Sequence, residues 1–555
     1  MIEFSLAEIF QASKVTWQSS VARPEVLARG VTDVSTDTRE LRPGSLFIGL
    51  PGPRFNGADF ARAALDAGAS AVLVEAAEPR VRAELERLSE EFVAPVAVCP
   101  DARAALAAAG RIVRASLAGR TLGITGSCGK TSTKAIVAHM LRAGVQDADR
   151  QDATVVASPK SFNNYVGVPR TLLLCDRETR FAVLEIGTNA PGEIADLADI
   201  ARPDVALITI IGRAHLERLG SLEGVAREKG ALLEALDPAR EGSAAVLNDD
   251  CPMTPALRQR VPAGVPILTF GCGTDSSGNK GPHSARASVH ADGVRATARG
   301  TEFELFIDPA LTPGRFISGR HVVIPLLGAH AASNVTASLA AVLALGGDLE
   351  AALDSIGTLV AEPHRLQPTL AGGVLVIDDA YNANPESMGA AFRTLMAVER
   401  GLAPAASGAG VMHRAPERVL VLGAMGEMGE AREALHREVG GLAGACGIDR
   451  LYLTGDRGDR EALEAYREGA LAAGLPSERI RLDLFLKSTV EALTAAGSGL
   501  ASGDICLVKA SRAAGLDRIA EAVARHFSQD ALVPELSPPV TSRRRNSDGC
   551  SGARA

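Results

Sequence analysis

A chain of 555 residues has length for three to four domains at about 150 residues each. Hydrophobic residues make up 46% and charged residues 22%, the balance of a soluble globular protein with real cores. The 58 basic residues against 66 acidic ones leave a net charge of −8, which argues against a general nucleic-acid or acidic-membrane binder, because those carry a basic excess.

The 8 cysteines are scattered without a C-x-x-C pair, so they read as buried or idle thiols in a reducing compartment. The start, Met1-Ile2-Glu3, lacks a basic n-region, and no apolar run approaches the roughly 18 residues of a spanning helix. A cytoplasmic protein with no integral membrane segment is expected.

Residues 1–98 mix α and β signals, among them the run Gly44–Gly49, an alanine-rich helical stretch from Phe60 and an apolar run at Ala71–Val74. A helix over Asp101–Leu117 leads to a strand at Thr121–Ile124. Strands at Phe181–Ile186 and Val205–Ile208, with another strand end near Ile211, then alternate with helical segments. That alternation predicts an α/β domain with a mostly parallel sheet over 99–361. Within it, Gly271–Gly300 reads as a small β-rich excursion with a flexible start.

A second alternating series follows Pro363, at Val374–Ile377, Val419–Leu422, Leu451–Leu453 and Ile505–Val508. It predicts a separate Rossmann-like domain over 362–532, with a Pro/Ala/Gly insertion at Gly401–Pro416. Residues 533–555, with Pro538-Pro539 and three arginines, cannot bury enough apolar surface to order and read as a disordered tail.

The sharpest feature is Thr125-Gly126-Ser127-Cys128-Gly129-Lys130-Thr131-Ser132, between a strand and a helix carrying Ile136, Val137, Met140 and Leu141. Glycines let backbone N–H groups wrap an anion, and the helix N-terminus adds partial positive charge. Lys130 is placed to bridge terminal phosphates and Thr131 to offer a hydroxyl to Mg²⁺. Glu185 ends a strand on the same edge and is a candidate to bind that metal or position its water. His215, in Ala214-His215-Leu216-Glu217, is a second candidate ligand.

The loop T-G-x-x-G-K-T-S resembles the ATP loop of the Mur ligases, the amide-forming enzymes of peptidoglycan precursor synthesis; folylpolyglutamate synthases share a similar loop. Further strings support the resemblance. In the H-L-E…K-G pattern, Lys229 resembles the lysine that several Mur ligases carry as a carbamate whose charge helps hold a second Mg²⁺. Asn163 and Asn164 match F-N-N-x-x-G-V-P and imply hydrogen bonds to a substrate carboxylate or diphosphate. His330 and Asn334 resemble G-x-H-N-x-x-N, whose last Asn reads the adenine edge, and Arg365 resembles an arginine near the nucleotide.

Asp379-Ala380-Tyr381-Asn382-Ala383-Asn384-Pro385 is similar to the D-x-Y-N-A-N-P string of the branch that adds D-alanyl-D-alanine. By that resemblance Asp379 bonds the ATP ribose and Asn382 approaches the nucleotide. Lys509 and Ser511, in Leu507-Val508-Lys509-Ala510-Ser511-Arg512, face the phosphates or the dipeptide when the domain closes. Ser35, Thr36, Asp37 and Arg39 resemble S-x-D-S-R, which holds the UDP end of the nucleotide-sugar substrate. The chain departs from the family pattern at Ala331, Ala424 and Ile210, at His364 in place of Gly, and in Arg54-Phe55-Asn56-Gly57-Ala58, which lacks the Asp and His of R-F-D-G-H.

The resemblance implies three α/β domains: an N-terminal unit for the UDP substrate, a central ATPase sheet and a C-terminal Rossmann-like unit. It implies ATP- and Mg²⁺-dependent ligation of D-alanyl-D-alanine to UDP-N-acetylmuramoyl-tripeptide through an acyl phosphate, by a monomer. The alternatives are a Mur-type ligase with another amino acceptor and a catalytically silent nucleotide-binding paralogue.

Overall fold

The computed structural model describes residues 2–13, 28, 30–31, 33–52, 55–75, 79–92, 94, 96–273, 287–297, 300–313, 317–400 and 414–528. The expected tail, most of the 401–416 insertion, the start of the 271–300 excursion and Arg54 therefore lie outside the described residues.

Short, wholly aliphatic runs become strands covered on both faces, as parallel sheets require. In the N-terminal part, β1 (Val34–Ser35), β2 (Leu46–Gly49), β3 (Ala71–Glu75) and β4 (Val96–Cys99) form a four-stranded sheet in that order, every pair parallel. Helix α1 (Ala102–Ser116) follows, its N-terminus capped by the Asp101 side chain, which accepts from the Ala104 N–H. Its small buried face, with Ala105, Leu106 and Ala109, shares one core with Ile48 and Leu73 of this sheet and with Val156 and Ala182 of the next. An alanine face allows that close double contact, so one helix ties two sheets together.

The central sheet has nine strands. They are β5 (Arg120–Thr125), β6 (Val155–Ala157), β7 (Phe181–Glu185), β8 (Val205–Ile208), β9 (Ala244–Asn248), β10 (Ile267–Gly271), β11 (Val289–Thr297), β12 (Gly300–Ile307) and β13 (Arg320–Ile324). Their spatial order is β13-β12-β11-β10-β9-β8-β5-β7-β6. Pairing is parallel from β6 through β11 and antiparallel at β11–β12 and β12–β13.

Helix α2 (Lys130–Ala143) packs Ile136, Val137, Met140 and Leu141 on one face, beside Val335, Leu339 and Val342 of α5 (Ala329–Leu345). The other face is covered by α3 (Glu193–Ala201) and α4 (Leu222–Glu234). The chain switches direction across the sheet at β5, which has β7 on one side and β8 on the other. Crevices at such a switch, beyond the strands' carboxyl ends, are where open α/β sheets bind ligands.

The last sheet joins β14 (Gln367–Ala371), β15 (Val374–Asp379), β16 (Arg418–Leu422), β17 (Arg450–Thr454), β18 (Ile480–Asp483) and β19 (Ile505–Lys509). Their order is β14-β15-β19-β16-β17-β18, parallel except for the β14 edge. The sheet carries α6 (Pro385–Ala397) and α7 (Arg432–Ala445) on one side. Strands β14 and β18 are edge strands whose half-exposed residues carry no continuous apolar run, and the sequence pattern did not reveal them. One expectation is corrected here: β8 ends at Ile208, so His215 is reached by an irregular loop rather than directly from a strand ending near Ile211. Among the described residues no helix is long and apolar enough to cross a membrane.

Candidate active site

The loop after β5 turns on Gly126 (φ +150°) and Gly129 (φ +82°), conformations that side-chain-bearing residues rarely adopt. Space is equally restrictive: a Cβ at Gly126 would strike the Thr209 hydroxyl, and one at Gly129 would lie 2.8 Å from Asn334 Oδ1. Strand β8 continues into a segment that braces this loop. Thr209 N–H donates to the Thr125 carbonyl at 3.0 Å and Ser127 N–H to the Ile210 carbonyl at 2.8 Å. Ser127 Oγ donates to Gly212 O and accepts from Gly212 N, both at 2.9 Å. Ile210 thus acts through its backbone, which its departure from the family pattern leaves intact.

Helix α2 starts at Lys130, directly after this loop, and the first N–H groups of a helix have no partner within it. Lys130 Nζ folds back onto the Gly126 carbonyl at 2.7 Å, and burial pushes its ammonium below the usual lysine range, against the pull of Glu185.

The pairing of β5 with β7 sets Ile124 opposite Glu185 and brings this carboxylate to the loop. Glu185 is 1% exposed. Asn163 Nδ2 donates to its Oε1 at 2.9 Å, while Oε2 has no hydrogen-bond partner and lies 3.7 Å from Lys134 Nζ. The sequence reading missed Lys134, although its spacing of four from Lys130 places both on one face of α2. Burial lowers the Lys134 pKa, and Glu185 opposes that shift.

Lys130, Asn163 and Glu185 line a cavity of about 660 Å³ between the central and C-terminal sheets, and Lys134 lies behind Glu185 outside that lining. Of the expected residues, Ser127–Ser132, Asn163, Glu185, His330, Asn334, Arg365, Asp379, Asn382 and Lys509 line it. Asn334 Oδ1 accepts from Thr133 Oγ1 at 3.3 Å. Arg365 Nη2 donates to Thr131 Oγ1 at 2.8 Å, and its guanidinium lies 4.2 Å from the Tyr381 ring centroid, a cation–π stack. Tyr381 Oη in turn donates to Ser161 Oγ.

Register pairs Asp379 with Lys509 across β15 and β19; Lys509 Nζ donates to Asp379 Oδ2 at 2.6 Å and to the Asn382 carbonyl at 3.0 Å. Lys509 therefore faces Asp379 here. Asn248, Asp250 and Tyr381 also line the cavity without having been assigned roles. The signal for the first was present, a polar residue at the carboxyl end of a central strand; its Nδ2 donates to the Thr209 carbonyl at 2.8 Å.

Other expected residues lie elsewhere. His215 (φ +55°) precedes a short helix and sets Nδ1 against Glu427 of the C-terminal part, a contact that lowers the Glu427 pKa. Lys229, on α4, is 0% exposed with no hydrogen-bond partner at Nζ. Burial drives its pKa well below the lysine range, and the Lys130 charge adds to this. The preceding Glu228 accepts from Gly192 N at 2.7 Å and Ile194 N at 2.8 Å, seating α4 against the start of α3.

Asn164 Oδ1 is taken by the Val166 and Gly167 N–H groups in a turn, and Ser511 Oγ donates to the Ala424 carbonyl at 2.8 Å. In the N-terminal sheet, Ser35 Oγ donates to the Asp37 carbonyl at 2.8 Å and Thr36 is half-buried. Asp37 pairs with the exposed Arg39 at 2.5 Å, whose hydrogen bonds pull the carboxyl down to about 2.

Among the described residues no three His, Cys, Asp or Glu side chains are gathered as a metal cage. Of the expected donors, the Thr131 hydroxyl and the buried Glu185 carboxylate line the cavity, whereas His215 lies outside its lining. Such a sparse set suits a Mg²⁺ ion that arrives with phosphate oxygens and keeps water.

Three family descriptions match the chain in succession: Mur ligase family, catalytic domain, over 30–113; Mur ligase middle domain, over 124–342; and Mur ligase, glutamate ligase domain, over 364–512. The UDP-N-acetylmuramoyl-tripeptide--D-alanyl-D-alanine ligase of Escherichia coli K12 is 35% identical over 76% of this chain and 81% of its own. The ligase of the same name from Mycobacterium bovis is 32% identical over 94% and 98%. Among solved structures, MurF from Acinetobacter baumannii superposes with a TM-score of 0.74 at 24% identity, covering 94% of this chain and 99% of that one. MurF from Thermotoga maritima in complex with ADP gives 0.68 at 24%, covering 92% and 100%. These structural likenesses bear on the fold; with the sequence matches across all three parts, they establish that the chain belongs to the Mur ligase family.

Proposed function

We propose that the protein joins D-alanyl-D-alanine to UDP-N-acetylmuramoyl-tripeptide with hydrolysis of ATP to ADP and phosphate, as a cytoplasmic monomer built from units at 1–98, 99–361 and 362–532. The observation that carries this reading is the meeting of the phosphate loop and the Asp379–Asn384 segment across one cavity. The former suits a nucleoside triphosphate, and the latter is the string most similar to the D-alanyl-D-alanine-adding branch.

The loop's N–H groups receive the phosphates, and Lys130 leaves the Gly126 carbonyl for the terminal phosphate oxygens, where its charge opposes the charge in flight. Asn334 takes the adenine edge, with Arg365, Asp379 and Asn382 along the rest of the nucleotide. The γ-phosphoryl group passes to the tripeptide carboxylate, giving an acyl phosphate and ADP. The dipeptide amine attacks the acyl carbon, and phosphate leaves from the tetrahedral intermediate as the amine loses its proton.

Thr131, Glu185 and His215 would hold Mg²⁺, which supplies neutralisation of phosphate charge when bound; Glu185 Oε2, buried and without a hydrogen bond, fits that role. The partnerless Lys229 amine, whose charged form burial disfavours, suits carbamylation: the neutral amine nitrogen attacks the carbon of CO₂ and releases a proton, leaving a carbamate anion. Ser35, Thr36, Asp37 and Arg39 hold the UDP end, Asn163 and Asn164 lie along the precursor, and Lys509 with Ser511 face the phosphates or the dipeptide after closure. Closure excludes water that would hydrolyse the acyl phosphate.

The test is phosphate release from Mg²⁺-ATP with UDP-N-acetylmuramoyl-tripeptide, with and without D-alanyl-D-alanine, while the product mass is followed. Dipeptide-dependent release with the matching mass gain is expected. ATP binding without dipeptide-dependent release would move the assignment to another acceptor or to a silent paralogue.

A further inference from the structure

The segment that braces the phosphate loop also grips the C-terminal part. Gly212 exchanges hydrogen bonds with Ser127, and the next residue, Arg213, reaches across the seam. Its Nε donates to Glu386 Oε1 at 2.8 Å, and Nη1 and Nη2 donate to Glu438 Oε2 and Oε1 at 2.8 and 2.9 Å. Glu386 lies in the first turn of α6 and Glu438 in α7, so one guanidinium fork binds carboxylates from two helices of the C-terminal part. The planar fork suits this task, and an ammonium does not.

The approach along the strip is tight: a Cβ on Gly212 would lie 3.0 Å from Glu386 Cγ, and one on Gly429 would lie 2.9 Å from Glu217 Cα. The Arg213 side chain is 35% exposed, with Glu386 at 15% and Glu438 at 45%. Water thus screens each pair, but the two act on one preorganised group. None of the ligation steps uses Arg213.

We propose that Arg213 is a positioning residue that holds the C-terminal unit shut over the phosphate loop, and that its neighbour Gly212, hydrogen-bonded to Ser127, couples closure to the shape of that loop. Its consequence is protection of the acyl phosphate until the amine arrives. The inference rests on the ligase reading for its activity readout, while the closure readout stands apart from it.

The experiment compares wild type, Arg213→Ala, Arg213→Lys, Glu438→Ala and the double variant Arg213→Ala/Glu438→Ala, each with Mg²⁺ and a non-hydrolysable ATP analogue, by small-angle X-ray scattering. Arg213→Ala should lower the closed population about fivefold, the scale of half-exposed charge pairs. The double variant should be no more open than Arg213→Ala, because the two share one interaction. Arg213→Lys should recover part of the closure through one carboxylate.

In turnover, Arg213→Ala should lower kcat, leave the KM for ATP unchanged, and release more than one phosphate per peptide bond formed. An Arg213→Ala protein that closes as wild type does, or a double variant whose effects simply add, overturns the proposal. Failure of the ligase reading would show separately, as wild-type phosphate release that ignores the dipeptide.

Discussion

Asn163 Nδ2 holds Glu185 Oε1 at 2.9 Å, so the other carboxylate oxygen, Oε2, is left buried without a hydrogen bond beside the phosphate loop. A buried, unpaired carboxylate oxygen is costly unless it has work to do. Its one ion-pair partner among the described residues is Lys134, whose Nζ lies 3.7 Å away, too far for a hydrogen bond.

Glu185→Ala should abolish ligation with the fold intact, as checked by phosphate release and circular dichroism. Asn163→Ala, which frees the carboxylate to rotate, should lower kcat about 10- to 100-fold, the scale of lost supporting hydrogen bonds around a metal ligand. Near-wild-type turnover in Glu185→Ala removes it from the site.

Lys130→Ala should likewise abolish turnover. Its ammonium is the charge nearest the loop's carbonyls, held on Gly126, and no other residue of Thr125–Ser132 carries a charge. Losing one preorganised charge at a transferring phosphoryl group costs about 10²- to 10³-fold or more. Single-turnover transfer from radiolabelled ATP measures it, with nucleotide binding followed separately.

Lys229 gives a stability prediction with a definite sign. Its folded pKa lies well below its ordinary value, so between those two pKa values the unfolded chain binds a proton that the native protein does not. Stability must therefore rise with pH across that window, by up to about 1.4 kcal/mol per pH unit. Lys229→Met, close in shape and never charged, should be more stable than unmodified wild type at pH 6, with the gap narrowing towards pH 9. Thermal melting of both proteins in CO₂-free buffer at several pH values tests it; a constant gap would mean that the amine is charged when folded.

Arg114 and Asp204 form a buried pair at 2.9 Å, with side chains 1% and 6% exposed. Asp204 also accepts from Thr121 N–H at 2.6 Å and pairs with Arg240 at 2.7 Å, which fastens α1 and β5 to the loop ahead of β8. Arg114→Ala leaves that carboxylate short of a partner in a dry place and should destabilise the protein by about 3–5 kcal/mol. Calorimetry reads the shift in the first unfolding transition, and a change under 1 kcal/mol, the size of an exposed pair, would contradict the assignment.

Much of the fold was legible because the buried parallel strands are continuous aliphatic runs. Phe181–Glu185, Val205–Ile208, Val374–Asp379 and Ile505–Lys509 all emerge where the pattern puts them. The half-exposed edge strands Gln367–Ala371 and Ile480–Asp483 were not legible, since an edge carries a mixed pattern that loops share. Lys134 was within reach through helical spacing, whereas Asn248 and Tyr381 needed the cavity itself to show that they line it.

The sequence by itself determined the local pattern: a strand, a loop with glycines and a helix N-terminus, the arrangement that favours an anion, follow one another within a few residues. Which distant side chains share that site was decided only by the tertiary structure. Strand register brings Glu185 beside Ile124 and Lys509 beside Asp379; burial leaves Lys229 without a partner. The seam between sheets puts Glu427 against His215 and two glutamates on Arg213. Contacts between residues some 170 to 225 positions apart, as for Arg213, leave no local periodicity in a single chain, because each depends on how whole elements pack rather than on neighbours in sequence.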